Sequence, residues 1–127
     1  MELALRALLT GSAAISSYCS SDRITWGVLG QGKGLQALVL NVVSGIGSHH
    51  YRGPDGLIRY RVQIDAYGAS YLSAKELSDE VRKLLDGYKG GQILGVFLDT
   101  IRDHHEANAA DRPFRVSQDF TIIWREA

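Results

Sequence analysis

Apolar residues fall along this chain in short runs whose period changes from segment to segment, and polar or glycine-rich breaks separate them. Leu3, Leu5, Ala7, Leu8 and Leu9 crowd an N-terminal stretch of strong helix formers. Gly11-Ser12 interrupts it, and Ser12 is placed to cap a second short turn running through Ile15 and Tyr18. Ser20-Ser21-Asp22 is turn chemistry, and the β-favouring residues 23–26 (RITW) predict a short strand. Residues 38–43 (LVLNVV) are nearly continuous in apolar character, which predicts a strand buried on both faces, fraying through Gly45-Ile46-Gly47-Ser48. Gly53-Pro54-Asp55-Gly56 then reads as a turn, since proline fixes φ and Asp-Gly suits a positive-φ corner.

From 57 to 67 the alternation is clean. Ile58, Tyr60, Val62, Ile64 and Ala66 point one way, while Arg59, Arg61, Gln63 and Asp65 point the other, giving a strand with one wet or interface face. The period then changes to a helix from Ser70 or Ser73 to Leu85, with Ser73 and Glu76 forming a capping box. Ala74, Leu77, Val81, Leu84 and Tyr88 make its apolar face, and Asp86-Gly87 ends it with a left-handed cap. Residues 93–103 and 114–125 predict two more strands, the second with Phe114, Val116, Phe120, Ile122 and Trp124 inward. Between them 104-HHEANAADRP-113 reads as an exposed loop. The predicted order is αβββαββ: an α+β domain spanning residues 1–127, with a mostly antiparallel β-sheet and helices packed on one face.

Charge narrows the function more than composition does. Fourteen Lys+Arg balance fourteen Asp+Glu, for a net charge of +0. A nucleic-acid binder ordinarily carries a basic surplus that releases counterions, so sequence-independent DNA binding is not expected as the main task. The single cysteine, Cys19, permits no intrachain disulfide and reads as a buried thiol. No apolar run approaches the ~20 residues of a membrane span, and Glu2 stands where a signal peptide needs positive charge. These features predict a protein made in a reducing cytoplasm.

Three groups of residues invite chemistry. Gly30, Gln31, Gly32, Lys33 and Gly34 (GQGKG) suggest a phosphate loop, but no Ser or Thr follows the lysine and a strand, not a helix, comes next. His49-His50 and His104-His105-Glu106 suggest a metal site; adjacent residues of an extended chain face opposite ways, and no ligand spacing accompanies them. Arg59, Arg61, Arg115 and Arg125 would form a basic stripe, for which pairing with Asp65 and Asp119 across the sheet is the simpler account. No catalytic residue, cofactor or metal is therefore expected. A small ligand-binding domain or enzyme using the Gly30–Gly34 loop remains the alternative of another class.

The opening MELALRALL, RITWG at 23–27, Gln31-Gly32 leading into Leu38-Val39-Leu40, Asp55-Gly56-Leu57 ahead of RVQIDAYGASYLSAKELSDEVRKLLDGYKG, GVFLD at 95–99 and FRVSQDFTIIWRE carry a resemblance over almost the full length. In combination they resemble the tail completion (tail terminator) proteins of tailed phages and gene transfer agents, once a domain of unknown function. The resemblance implies a non-enzymatic virion part at the tail–neck junction, assembled in the bacterial cytoplasm. It implies a homo-hexameric ring that caps the tail tube, ends polymerisation and meets the neck protein, with DNA sliding through its lumen without specific binding. A head-completion (stopper) protein of the neck is the alternative within that class. In this reading Gly30, Gln31, Gly32, Lys33, Gly34, His104, His105 and Glu106 are contact-loop candidates for tube or neck, and Arg59, Arg61 and Asp65 are ring-interface candidates.

Overall fold

The structure, a computed structural model, describes residues 1–27, 36–51, 53–104 and 114–126, with the backbone alone at 48, 50, 54, 55 and 104. Two short helices lead, α1 (Glu2–Thr10) and α2 (Ala13–Ser16), followed by a 3₁₀ turn at Ser21–Arg23. Five strands and one longer helix follow: β1 (Ile24–Trp26), β2 (Ala37–His50), β3 (Gly53–Gly68), α3 (Tyr71–Leu85), β4 (Ile93–His104) and β5 (Phe114–Arg125). The sheet order is β1-β2-β3-β5-β4. Its pairs are antiparallel except β1 against β2, which is parallel. The α+β architecture predicted from the pattern is the one observed, with a second helical turn ahead of the strands.

One face of the sheet carries the core. Leu38, Leu40, Val62, Ile64, Ala66, Phe120 and Ile122 are buried there against Leu5 and Leu9 of α1, Ile15 of α2 and Leu77, Val81 and Leu85 of α3. Leu5 and Leu9 are one helical turn apart, so α1 lays a single narrow stripe on the sheet. Ser12 caps α2 as expected, its hydroxyl accepting from Ile15 N. Arg6 fixes the tilt of α1 by donating from Nε to Ile24 O at 3.1 Å and from Nη2 to Ser21 O at 2.9 Å.

Several local expectations change. The N-cap of α3 is Ser70, and its capping box is closed by Ser73 rather than by a Ser73–Glu76 pair. A serine hydroxyl at the third helical position reaches back to Ser70 N at 3.1 Å, so no longer side chain is needed. The buried stripe of α3 is Ala74, Leu77, Ser78, Val81 and Leu85, while Leu84 and Tyr88 sit at the core's margin. Gly87 does supply the left-handed cap, with φ +84°.

The β2–β3 hairpin is longer than predicted. Gly45 and Gly47 do not end β2; they pair with Tyr60 and Ile58, and the Tyr60 ring covers the space that a side chain on Gly45 would take. Gly53-Pro54-Asp55-Gly56 is not the turn but the start of β3: His50 pairs with Gly53, so the chain reverses before the proline. Gly53 (φ +133°) and Gly56 (φ +80°) bend the strand there. Burial of β2 on both faces holds only to Leu40; Val42 and Val43 are 39% and 56% exposed.

Candidate functional site

No helix among the described residues covers the second face of the sheet, and the polar side chains of β3, β4 and β5 meet there. At its centre stands Asp119 on β5, with a side chain only 7% exposed. Its carboxylate accepts from Thr100 Oγ1 at 2.8 Å, from Arg102 Nη2 at 3.2 Å and from Arg61 Nη2 at 3.4 Å. Both guanidinium groups are about half exposed, 49% for Arg102 and 48% for Arg61, so water shares their charge with the carboxylate. Arg102 also donates to Gln63 Oε1. One row along, Asp65 is 4% exposed and accepts from Ser117 Oγ and Gln63 Nε2. At the strand margin Thr121 Oγ1 donates to Asp99 Oδ2 at 2.6 Å.

This arrangement braces three strands. Asp119 is saturated by cationic and hydroxyl donors. Among the described residues no group of His, Cys, Asp or Glu is placed to hold a metal ion. Cys19 is 1% exposed, and burial is the main cause that pushes its thiol pKa up, only partly offset by Arg23. No described helix is long and apolar enough to cross a membrane.

The expected ring-interface residues are not equivalent. Arg59 and Arg61 are exposed on this face, whereas Asp65 is interior and held by Ser117 and Gln63 instead of an arginine. Asp119 does take the expected cross-sheet pairing with Arg61. Of the contact-loop candidates, Gly30, Gln31, Gly32, Lys33, Gly34, His105 and Glu106 lie outside the described residues, and His104 ends β4 with its backbone alone described. Thr100 and Arg102 were not singled out from the sequence, for a physical reason. The register shifts between Leu98 and Thr100, so the extra residue Asp99 reverses the facing of everything after it. Strict alternation from Leu98 would have aimed Arg102 at the core.

Below the polar centre the same face turns apolar. A groove of about 310 Å³ is lined by Ile46, Gly47, Leu57, Ile58, Arg59 and Ile123. A second hollow of about 410 Å³ lies between α1 and the start of β4, floored by Ala4, Leu8, Tyr88, Ile93 and Trp124. Neither gathers the convergent polar groups of a small-molecule site. Exposed apolar side chains and arginine are instead the composition of a protein contact surface.

No curated protein sequence matches the chain. A chain in the solved structure described as "Virion of native gene transfer agent (GTA) particle" superposes with a TM-score of 0.72 at 14% identity, covering 95% of this chain and 91% of that one. At that identity the likeness establishes a shared fold. The family described as tail completion protein gp17 matches residues 3–125, nearly the whole chain. The chain therefore belongs to the tail completion protein gp17 family and is a structural component of a virion.

Proposed function

We propose that this protein caps the tail tube as a hexameric ring, ends tube polymerisation and joins the finished tail to the neck of the DNA-filled head. The observation that carries the reading is the family match across residues 3–125; the fold shared with a chain of a gene transfer agent virion supports it. The protein acts mechanically and not as an enzyme. Its partners are other copies of itself, the tube protein and the neck protein, and residues 27–35 and 104–113 supply contacts to tube or neck. DNA passes the lumen without specific binding, a reading supported by the net charge of +0.

Electron microscopy of particles made without the gene tests this. Filled heads lacking tails, beside loose tubes of abnormal length, are expected. Normal, joined particles would overturn the proposal. Deleting residues 31–34 is expected to leave thermal unfolding unchanged while abolishing joining.

A further inference from the structure

The exposed apolar side chains of this sheet are confined to two of its strands. Val42, Val43 and Ile46 stand out on β2, and Leu94, Phe97 and Ile101 on β4. Among the described residues, β3 and β5 carry no exposed large apolar side chain. Both bearing strands are edges. β1 pairs with β2 only as far as Leu40, and the apolar exposure begins two residues later. Beyond that point the outer side of β2 has no strand partner among the described residues, and neither does the outer side of β4. Soluble proteins ordinarily blunt such edges with lysine or proline; residues 41–47 of β2 carry neither.

The two edges also differ in charge. Beside the β2 edge, Arg59 is exposed opposite Ile46 and has no carboxylate partner in the described residues. On the β4 edge, Asp99 is exposed, bonded to the Thr121 hydroxyl but, among the described residues, to no cation. Each edge thus offers exposed apolar side chains on both of its faces, Phe97 opposite Thr121 on the outer face and Ile101 opposite Gln118 on the helix side, and one charge without a counter-charge among the described residues; the signs are opposite.

We propose that neighbouring copies join edge to edge. The β2 edge of one copy, around Val43 and Ile46, seats on the β4 edge of the next, around Phe97 and Ile101, with Arg59 of the first facing Asp99 of the second. The proposal rests on the ring reading above and names the contact that closes the ring. Unlike surfaces at opposite ends of one sheet generate a head-to-tail interface, which repeats until rotation closes it. Backbone pairing is restricted to a short stretch, because α3's exit already occupies part of β4: Gly87 N donates to Val96 O at 2.8 Å, and Asp86 Oδ1 accepts from Leu98 N at 3.0 Å. Strand addition is therefore available from Thr100 to His104 on one copy, and past Leu40 on the other.

Thiol crosslinking in purified particles tests the contact. Val43→Cys and Ile101→Cys replace exposed side chains, and Cys19 is buried, so the wild type is the silent control. With a short bismaleimide, neither single variant is expected to link to itself, the two mixed should give dimers only, and the double variant should give a ladder of multimers. A double variant present in joined particles yet monomeric after treatment would overturn the edge contact while leaving the ring reading intact. Self-linking of Ile101→Cys would overturn it too, by showing a like-to-like interface. Absence of the chain from normal particles would instead sink the ring reading, and the contact with it. As a second measurement, Arg59→Asp and Asp99→Arg should each lower particle yield on the order of tenfold, and the charge-swapped double variant should restore it. Failure of the swap to restore yield would remove the Arg59–Asp99 pair.

Discussion

Replacing Gly68 with alanine should loosen the joint between β3 and α3 more than any other single methyl added at that joint. Gly68 is the last residue of β3, and its φ lies outside the left-handed region, so an alanine there meets no torsional objection. The objection is space. The methyl would stand 2.5 Å from Ala74 N and 3.0 Å from Ala74 Cα, and would collide with Ser73 Oγ. Carbon contacts ordinarily lie at about 3.5–4.0 Å, so the first turn of α3 must lift by roughly 1 Å. Backbone cannot rotate away as a side chain can. Overpacking of this kind costs about 1–3 kcal/mol. Disturbing Ser73 also weakens the capping box, worth about 1 kcal/mol. With about 2.1 cal/mol/K of unfolding entropy per residue over 127 residues, each kcal/mol moves Tm by about 4 °C. A fall of about 8–16 °C follows, read by circular dichroism at a fixed protein concentration, because assembly would otherwise shift Tm. Gly90→Ala is the control: its methyl meets only the Tyr88 ring and hydroxyl, which can swing aside. A Gly68→Ala protein that melts within about 2 °C of wild type would refute the steric argument.

Leu77→Ala removes a fully buried side chain of α3 and is expected to cost about 2–5 kcal/mol in urea unfolding, the spread depending on how far the core collapses. Asp119→Asn keeps the shape and the Thr100 contact but removes the charge facing Arg61 and Arg102; with both arginines half exposed, a loss of about 1–2 kcal/mol is expected, smaller at high salt. Cys19 should resist thiol reagents in the native protein and react fully once unfolded. Its raised pKa has a further sign: the folded state keeps a proton that the unfolded chain gives up, so stability should fall as pH rises above the unfolded thiol's range, and Cys19→Ala should lose that alkaline slope.

The elements with strong periodicity were legible in the sequence: α1, α3, β5 and the core half of β3 follow from spacing alone. What spacing does not encode is where a strand gains an extra residue. The bulge at Asp99 re-aims Thr100 and Arg102, and the one between Val42 and Ser44 turns Ile46 from the core face to the outer face, opposite Arg59. Glycine misled in the same way. Gly45 and Gly47 read as a stop, yet both pair within the ladder, and at Gly45 the absent side chain makes room for Tyr60 from the neighbouring strand, a contact that is visible only once strands are paired. Likewise Asp65 shares a face with arginines in the alternation, but Ser117 and Gln63 claim its carboxylate, so it is interior. Family membership was legible because several short segments coincide in order, although none is catalytic.

The place of β5 between β3 and β4 also governs when the chain can fold. β5 comes last of the five strands, yet β3 pairs with it from Leu57 to Gly68 and β4 has no other strand neighbour among the described residues. Phe120 and Ile122 from this final strand complete the core that α1 began with Leu5 and Leu9. A chain emerging from the ribosome therefore holds its helices and first hairpin without a closed core until residues 114–126 are free. Pairings of such sequence separation are slow, in the range of milliseconds to seconds. A prematurely ended product leaves β4 without its β5 partner and its apolar edge open to proteolysis and aggregation.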